Sequence, residues 1–333
     1  MIIYAFLVLA GQSIGTLLGR IYFVNGGQSE WLATLVQVVG FPILFPFLWV
    51  TTAKKPQTET NNTKKPSNPL TLITFYIAIG IFAAGVSMLY SVGLQYLPVT
   101  TFTLICASQL AFNAIFSYFL NKQKFTPYIV NSLVLLTISS VLLVFQTDPG
   151  DGSNKTSRRK YVIGFLSSAS HALMLSLTQV AFQKIIKKET IRSTIDLTIY
   201  QSLIATFVIL IGLFASGDWE TLGREMKGYK LGQVSYVMNL FWAAVSWQAL
   251  TIGSVGLIFK VSSLFSNVIN ILGLSMPPVL AVVFLNDKLT GLKAVAMVLA
   301  MWGIVSYMYQ HYLNDSKIHE KTGSHNQQAA LVA

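Results

Sequence analysis

The sequence predicts an all-α polytopic membrane protein with about ten transmembrane helices, arranged as two inverted five-helix repeats. Three observations predict this fold class: a scarcity of charge, a series of long apolar runs, and a short internal repeat. Of the 333 residues, 53% are hydrophobic and 11% are charged, whereas a typical soluble domain carries about 25% charged residues. A water-soluble chain of this length could not cover its surface with so few charges.

Ten apolar runs are long enough to cross a bilayer, which takes roughly 20 residues of α-helix. They cover residues 2–23, 31–50, 70–95, 98–120, 128–146, 161–186, 196–215, 232–253, 256–285 and 291–312. In the first run Gly11, Gly15 and Gly19 recur every four residues. Such a stripe of small residues lets two membrane helices approach closely, so we expect the first helix to pack tightly against a neighbour.

A short repeat divides the chain into two halves. Residues 119–126 (FLNKQKFT) end the fourth run, and residues 284–290 (FLNDKLT) end the ninth, five runs later. Because five is odd, the two copies have opposite orientations in the membrane, which is a signature of secondary transporters with a central site. We therefore predict a first repeat at 1–146, a polar connection at 147–160, a second repeat at 161–312 and a disordered cytoplasmic tail at 313–333.

The net charge of +11 comes from basic residues that cluster between the apolar runs. This pattern is typical of loops that orient a membrane protein, and it does not indicate a nucleic-acid partner. The loops 51–69 and 184–195 are rich in Lys and Arg, so we place them and both termini in the cytoplasm. Metal-binding and catalytic motifs such as HExxH, the P-loop and GxSxG are absent from the sequence, and we expect no enzyme activity, cofactor or metal.

Neutral polar side chains are the candidates for a binding site. None of the 12 acidic residues lies in the middle of an apolar run, so no proton relay of carboxylates is predicted. An unpaired amide that faces lipid costs several kcal/mol, so the amides should face the protein interior. The candidate substrate-binding residues are Gln109, Asn113, Gln201, Trp247, Gln248, Ser262 and Ser263.

Two of these candidates, Gln109 and Asn113, are spaced i, i+4 and share one helical face. Amides can pair with a heterocycle as they do with adenine, and aromatic faces can stack on its ring. The alternative is that each amide only joins two helices. His171 is the one histidine well inside a span; it is either a proton-coupling residue or a neutral hydrogen-bonded histidine.

Stretches in both halves resemble a known family. They are residues 18–23 (LGRIYF), 25–27 (NGG), 96–101 (YLPVTT), 109–114 (QLAFNA), 122–127 (KQKFTP), 247–248 (WQ) with Gly253, 256–259 (GLIF), and 299–307 around Trp302-Gly303. Together they resemble the plant purine permeases, a branch of the drug/metabolite transporter superfamily. The resemblance implies ten helices in two inverted halves and proton-coupled uptake of adenine, other purines, cytokinins or related alkaloids.

The chain departs from the family at one position. Members often carry a glutamate just before the glutamine that matches Gln201, whereas Ile199 and Tyr200 precede it here. The resemblance therefore does not identify the proton-coupling residue.

From the resemblance and the neutral polar residues we expect an alternating-access transporter for purine-like solutes, driven by the proton gradient, in the plasma membrane. Its partners would be the solute, a proton and the lipid bilayer. One alternative is another drug/metabolite transporter, such as a nucleotide-sugar exchanger, although such anionic substrates would require Lys or Arg inside the helices. A second alternative is a membrane receptor that binds a purine-like hormone without transporting it.

Overall fold

The computed structural model of the chain describes residues 1–46, 69–121, 155–186 and 191–285, with scattered helical positions between 127 and 138 and between 291 and 309. Within these residues all regular structure is helical. Six helices are long and apolar enough to cross a membrane: Ile2–Val24, Tyr76–Tyr96, Thr101–Leu120, Arg158–Gln183, Ile195–Ala215 and Gln233–Lys260. The prediction of an all-helical polytopic membrane protein is therefore confirmed. Most of the predicted fifth and tenth spans and the whole tail 313–333 lie outside the described residues.

The helices are α1 (Ile2–Val24), α2 (Glu30–Val38), α3 (Pro69–Tyr96), α4 (Val99–Ala107), α5 (Gln109–Asn121), α6 (Lys155–Ile186), α7 (Ile191–Ala215), α8 (Asp218–Gly228), α9 (Gln233–Lys260) and α10 (Ser263–Leu285), with a short 3₁₀ turn at Phe41–Leu44 after α2. Helix α6 starts within the predicted connection 147–160, because Lys and Arg are good helix formers and extend the helix beyond its apolar part. The short helix α8 lies where the sequence predicted a loop.

Helices α1 and α9 pack closely through the predicted glycine stripe. A Cβ atom on Gly11 would lie 2.6 Å from both the backbone nitrogen of Leu250 and the carbonyl oxygen of Ser246, and one on Gly15 would lie 3.1 Å from the Trp247 ring. Real Cβ atoms do not approach backbone atoms this closely, so only glycine allows this helix separation. The expected role of the stripe in helix packing is confirmed.

The boundary predicted between the eighth and ninth spans, near residues 254–255, is wrong. Helix α9 continues to Lys260, and the chain turns at Val261 and Ser262 instead. The glycines there serve packing rather than a turn: a Cβ on Gly253 would lie 2.7 Å from the carbonyl oxygen of Tyr4 in α1. Because the close neighbour belongs to a distant part of the chain, the sequence pattern alone could not distinguish the two roles of glycine.

The predicted fourth span is interrupted at Ser108. Helix α4 ends at Ala107, and α5 begins at Gln109. The backbone N–H of Ser108 donates to the carbonyl of Ile105 at 3.1 Å, and its hydroxyl donates to the same oxygen at 2.7 Å. Ser108 thus replaces a regular helical bond with a tighter turn, as its hydroxyl competes for the backbone. The break places Gln109 at the start of a helix inside the protein.

Candidate functional site

A central cavity of about 210 Å³ lies among the helices, lined by residues of α1, α2, α3, α5, α6, α7, α9 and α10. Its wall combines aliphatic side chains with six amide side chains: Gln12, Gln37, Gln109, Gln179, Gln201 and Asn270. None of the described residues that line it is Asp, Glu, Lys or Arg. Such a neutral cavity offers hydrogen bonds but no charge to neutralise an ionic ligand.

Aromatic rings build one wall of this cavity around Tyr90. The ring of Tyr90 makes edge-to-face contacts with Trp247, His171 and Phe102, with centroid distances of 4.9, 5.0 and 4.8 Å. Its hydroxyl lies 2.6 Å from the hydroxyl of Thr16 in α1. Edge-to-face pairs restrain each other's orientation, so Tyr90, His171 and Trp247 present a preformed aromatic wall to the cavity.

Three of the amides that line the cavity have buried atoms without a hydrogen-bond partner in the described protein. They are both amide atoms of Gln109, Oε1 of Gln201 and Oδ1 of Asn270. Gln109 is 1% exposed and Asn270 is 4% exposed. A buried polar group without a partner costs about 1–3 kcal/mol. A polar solute in the cavity would be able to satisfy such atoms.

The break in the fourth span positions Gln109. Its backbone carbonyl accepts hydrogen bonds from the Ser176 hydroxyl at 2.7 Å and from Nδ2 of Asn267 at 3.1 Å. Both partner side chains are fully buried, so α6 and α10 hold the start of α5 from two directions. Discontinuous helices of this sort form the binding sites of many secondary transporters.

His171 contacts the cavity with a defined tautomer. Its Nδ1 lies 2.9 Å from the carbonyl oxygen of Val86. A carbonyl oxygen only accepts hydrogen bonds, so Nδ1 carries a hydrogen, and the neutral ring can gain a proton only at Nε2. The hydrogen bond expected of a neutral histidine is therefore present, and the proton-coupling role of His171 stays a prediction.

Asn113 does not line the cavity, although it lies one helical turn from Gln109. Its Nδ2 donates to Oε1 of Gln179 at 3.1 Å, and its Oδ1 accepts from the Ser117 hydroxyl at 3.3 Å. Because Gln179 uses its oxygen on Asn113, its NH₂ group is the part left for the cavity. Asn113 thus positions a lining residue instead of lining the site itself.

Ser262, Ser263 and Gln248 also lie away from the cavity. Oγ of Ser262 accepts from the backbone N–H of Phe265 at 3.1 Å, and Ser263 donates both its hydroxyl and its backbone N–H to Oε1 of Gln183. These serines begin α10 and attach it to α6, whereas the sequence placed them inside the ninth span. Gln248 is buried beside Gly40. Of the predicted substrate-binding residues, the cavity brings together Gln109, Gln201 and Trp247.

Several lining residues were not predicted from the sequence. Tyr90 lies in an apolar run without neighbouring amides, so nothing local distinguishes it from a lipid-facing tyrosine. Gln37 donates to the Ser91 hydroxyl at 2.7 Å, which joins α2 to α3 at the edge of the cavity. Among the described residues, no group of three or more His, Cys, Asp or Glu side chains is arranged to hold a metal ion.

Comparison with known proteins extends these observations. The family model for purine nucleobase transmembrane transport, PUNUT, matches residues 1–317. The chain is 54% identical to probable purine permease 6 of Arabidopsis thaliana, over 96% of this chain and 84% of that protein. The chain belongs to the purine permease family. Purine permease 21 and probable purine permease 10 of the same plant are 52% and 51% identical, each over 95% of this chain and 81% of the relative.

The crystal structure of one protein of different sequence shares the fold. It superposes with a TM-score of 0.58 at 16% sequence identity, over 93% of this chain and 95% of that chain. Family membership and the six apolar helices together make this purine permease an integral, multi-pass membrane protein.

Proposed function

We propose that this protein carries purine-like solutes, such as adenine, purine derivatives and cytokinins, across the plasma membrane by proton-coupled alternating access. The observation that carries the proposal is the central cavity, where unpaired amide atoms of Gln109, Gln201 and Asn270 lie beside the Tyr90–Trp247 wall. A purine ring offers both acceptors and donors at its edge, which amides satisfy in pairs. Its flat faces suit an aromatic wall.

The residues that line the cavity argue against a nucleotide sugar as the substrate. A sugar nucleotide carries phosphate charges, and the strongest side-chain partners of phosphate are Arg and Lys. Among the described lining residues none carries a fixed positive charge. An uncharged heterocycle matches the cavity, and purine permease relatives carry the name of such a solute.

We assign the proton-coupling role to His171. It lies in edge-to-face contact with Tyr90 at the cavity wall, and its Nδ1 bond to Val86 leaves Nε2 as the position that gains a proton. Protonation beside the bound solute would let one site respond to both ligands. The glutamate common in the family just before the glutamine matching Gln201 is absent here, so the coupling role falls to a different side chain.

For the fold we propose two inverted five-helix repeats. The six spans and two shorter apolar helices, Glu30–Leu44 and Ser263–Leu274, each overlap one of the predicted apolar runs over most of their length. The other two predicted runs, 128–146 and 291–312, would complete each half. A cavity between such halves is the usual position of the site in inverted-repeat transporters.

The test is uptake of radiolabelled adenine and of a labelled cytokinin by yeast that lacks purine uptake, with and without an uncoupler. Uptake that saturates and falls with the uncoupler is the expected result. If correctly sorted protein takes up neither compound, the substrate proposal is wrong, and uptake indifferent to the uncoupler contradicts proton coupling. Counterflow in proteoliposomes separates a transporter from a purine receptor, since a receptor gives none.

A further inference from the structure

Glu225, in the short helix α8, is a buried carboxylate that the central site does not use. It is 9% exposed, and both of its oxygens are occupied. Oε1 accepts from the hydroxyls of Tyr22 at 2.6 Å and Tyr236 at 2.9 Å. Oε2 accepts from the backbone N–H groups of Gln28 at 3.1 Å and Ser29 at 3.3 Å. Hydrogen bonds to a charged group are among the strongest in proteins, so this cluster holds its surroundings firmly together.

The two carboxylate oxygens of Glu225 accept hydrogen bonds from different parts of the fold. Tyr22 ends α1 and Tyr236 begins α9, and these two helices form one tightly packed pair through their glycines. Gln28 and Ser29 precede α2, and Ser29 caps that helix by accepting from the N–H of Leu32. Glu225 therefore joins the α1–α9 pair to the positive end of α2.

A second carboxylate of α8 strengthens the same junction. Oδ2 of Asp218 accepts from the Ser29 hydroxyl at 2.7 Å. The backbone N–H of Lys230 donates to the carbonyl of Asn25 at 3.0 Å. Burial and the neighbouring Glu225 charge also raise the pKa of the Tyr229 phenol, so Tyr229 stays neutral beside the carboxylate.

A small cavity of about 20 Å³ lies between this cluster and the central cavity and has lining residues in common with both. It shares Gln37, Tyr90 and Trp247 with the central cavity, and Tyr22 with the Glu225 cluster. Its walls come from α1 and α9 on one side and from α2 and α3 on the other. The central cavity, the small cavity and the Glu225 cluster are therefore neighbours in series, which share first Tyr90 and Trp247 and then Tyr22.

We propose that Glu225 is a gating residue of the transport cycle, whose carboxylate keeps the pathway closed at the α8 end. Opening at that end parts α2 and α3 from the α1–α9 pair, and this motion has to release the N–H groups of Gln28 and Ser29 from Oε2. The proposal rests on the alternating-access function above. Glutamine at this position removes the negative charge, so the bonds from Gln28 and Ser29 lose their charge-assisted strength. Its NH₂ group can stay next to Tyr22 and Tyr236 only if both hydroxyls change from donors to acceptors.

The experiment measures access rather than transport. A single cysteine replaces Ser202, which lines the central cavity, in a background with Cys106→Ala, so that no other thiol is present. A membrane-impermeant thiol reagent is applied to intact cells and to inside-out vesicles. A separate Glu220→Cys variant, exposed on α8, shows which face of the membrane the α8 end occupies.

Glu225→Gln is expected to raise the labelling rate of the cysteine at 202 from the α8 face about tenfold, which corresponds to about 1.4 kcal/mol. The matched control is Glu220→Gln, the same change on the same helix at an exposed position, and it should leave the rate unchanged. An unchanged rate in folded Glu225→Gln protein overturns the proposal.

A second variant keeps the test decisive if Glu225→Gln fails to fold. The double change Tyr22→Phe and Tyr236→Phe removes both donors to Oε1 but keeps the carboxylate. It should also raise the labelling rate from the α8 face, and a rate equal to that of the parent refutes gating by this cluster. Because labelling requires no solute, this result is independent of whether the substrate is a purine.

Discussion

Replacing Gln109 by Leu separates a binding residue from a structural one. Leucine has nearly the volume of glutamine, but it lacks both amide atoms, and neither atom has a partner among the described residues. If a purine satisfies both atoms, the variant loses two hydrogen bonds of about 0.5–1.5 kcal/mol each. The total of about 1–3 kcal/mol corresponds to roughly 5- to 150-fold weaker solute binding.

The stability of the same variant should not fall. Removing two buried polar atoms that have no partners breaks no internal hydrogen bond. It also removes the free-energy cost of keeping those atoms away from water. We therefore expect the melting temperature of the purified protein in detergent to stay level or rise. Asn113→Leu is the contrasting control, because Asn113 bonds to Gln179 and Ser117, and its loss should lower the melting temperature.

The assays are the concentration dependence of adenine uptake in yeast and thermal unfolding of the purified protein. The reasoning is refuted if Gln109→Leu takes up adenine with an unchanged KM. It is also refuted if the variant melts well below the parent, since Gln109 would then act as a bond between helices.

Three further variants test the packing and the coupling. Gly11→Leu should abolish stable folding, measured by the yield of monodisperse protein, because even its Cβ would lie 2.6 Å from two backbone atoms of α9. Gly85→Ala should be neutral, because a Cβ there would meet no atom of the described residues within 4 Å, and equal yields of the two variants would contradict the packing. His171→Asn keeps a donor for the Val86 carbonyl but cannot gain a proton, so the remaining uptake should no longer respond to an uncoupler; undiminished sensitivity would assign the proton elsewhere. Tyr90→Phe keeps the aromatic ring but loses one buried hydroxyl bond, so it should lower the free energy of unfolding by about 1 kcal/mol with little change in KM for adenine, and a large rise in KM would show that the hydroxyl binds the solute.

Much of the fold could be predicted from local properties of the sequence. The scarcity of charge and the length of the apolar runs locate most of the membrane helices. Each helix has to form its own backbone hydrogen bonds in lipid and present apolar side chains to it, and both requirements are local. The glycine spacing in α1 predicts a packing face, because glycines on one side of a helix let a neighbouring helix approach closely. The end of α9 could not be predicted, because Gly253 signals a turn and a close helix contact equally well.

The site was predictable in its chemistry but only partly in its residues. An amide side chain that faces lipid without a partner is costly, so the sequence restricts the candidates to a few neutral polar side chains that must face the protein interior. Gln109, Gln201 and Trp247 line the cavity, whereas Asn113 and Gln248 do not. The difference arises from the rotation of each helix and from which neighbour supplies a partner, and neither depends on residues close in the sequence.

The sequence by itself determined that this chain is helical, spans the membrane repeatedly and encloses neutral amides, because lipid imposes those requirements on every segment separately. Only the tertiary structure decided that Ser108 breaks a span to aim Gln109 inward, and that Tyr90 faces Trp247. It also decided that Glu225, in a polar segment too short to span the membrane, is buried between Tyr22, Tyr236 and the start of α2. These contacts join residues up to 203 positions apart, and the free energy that selects them exists only once the helices have packed.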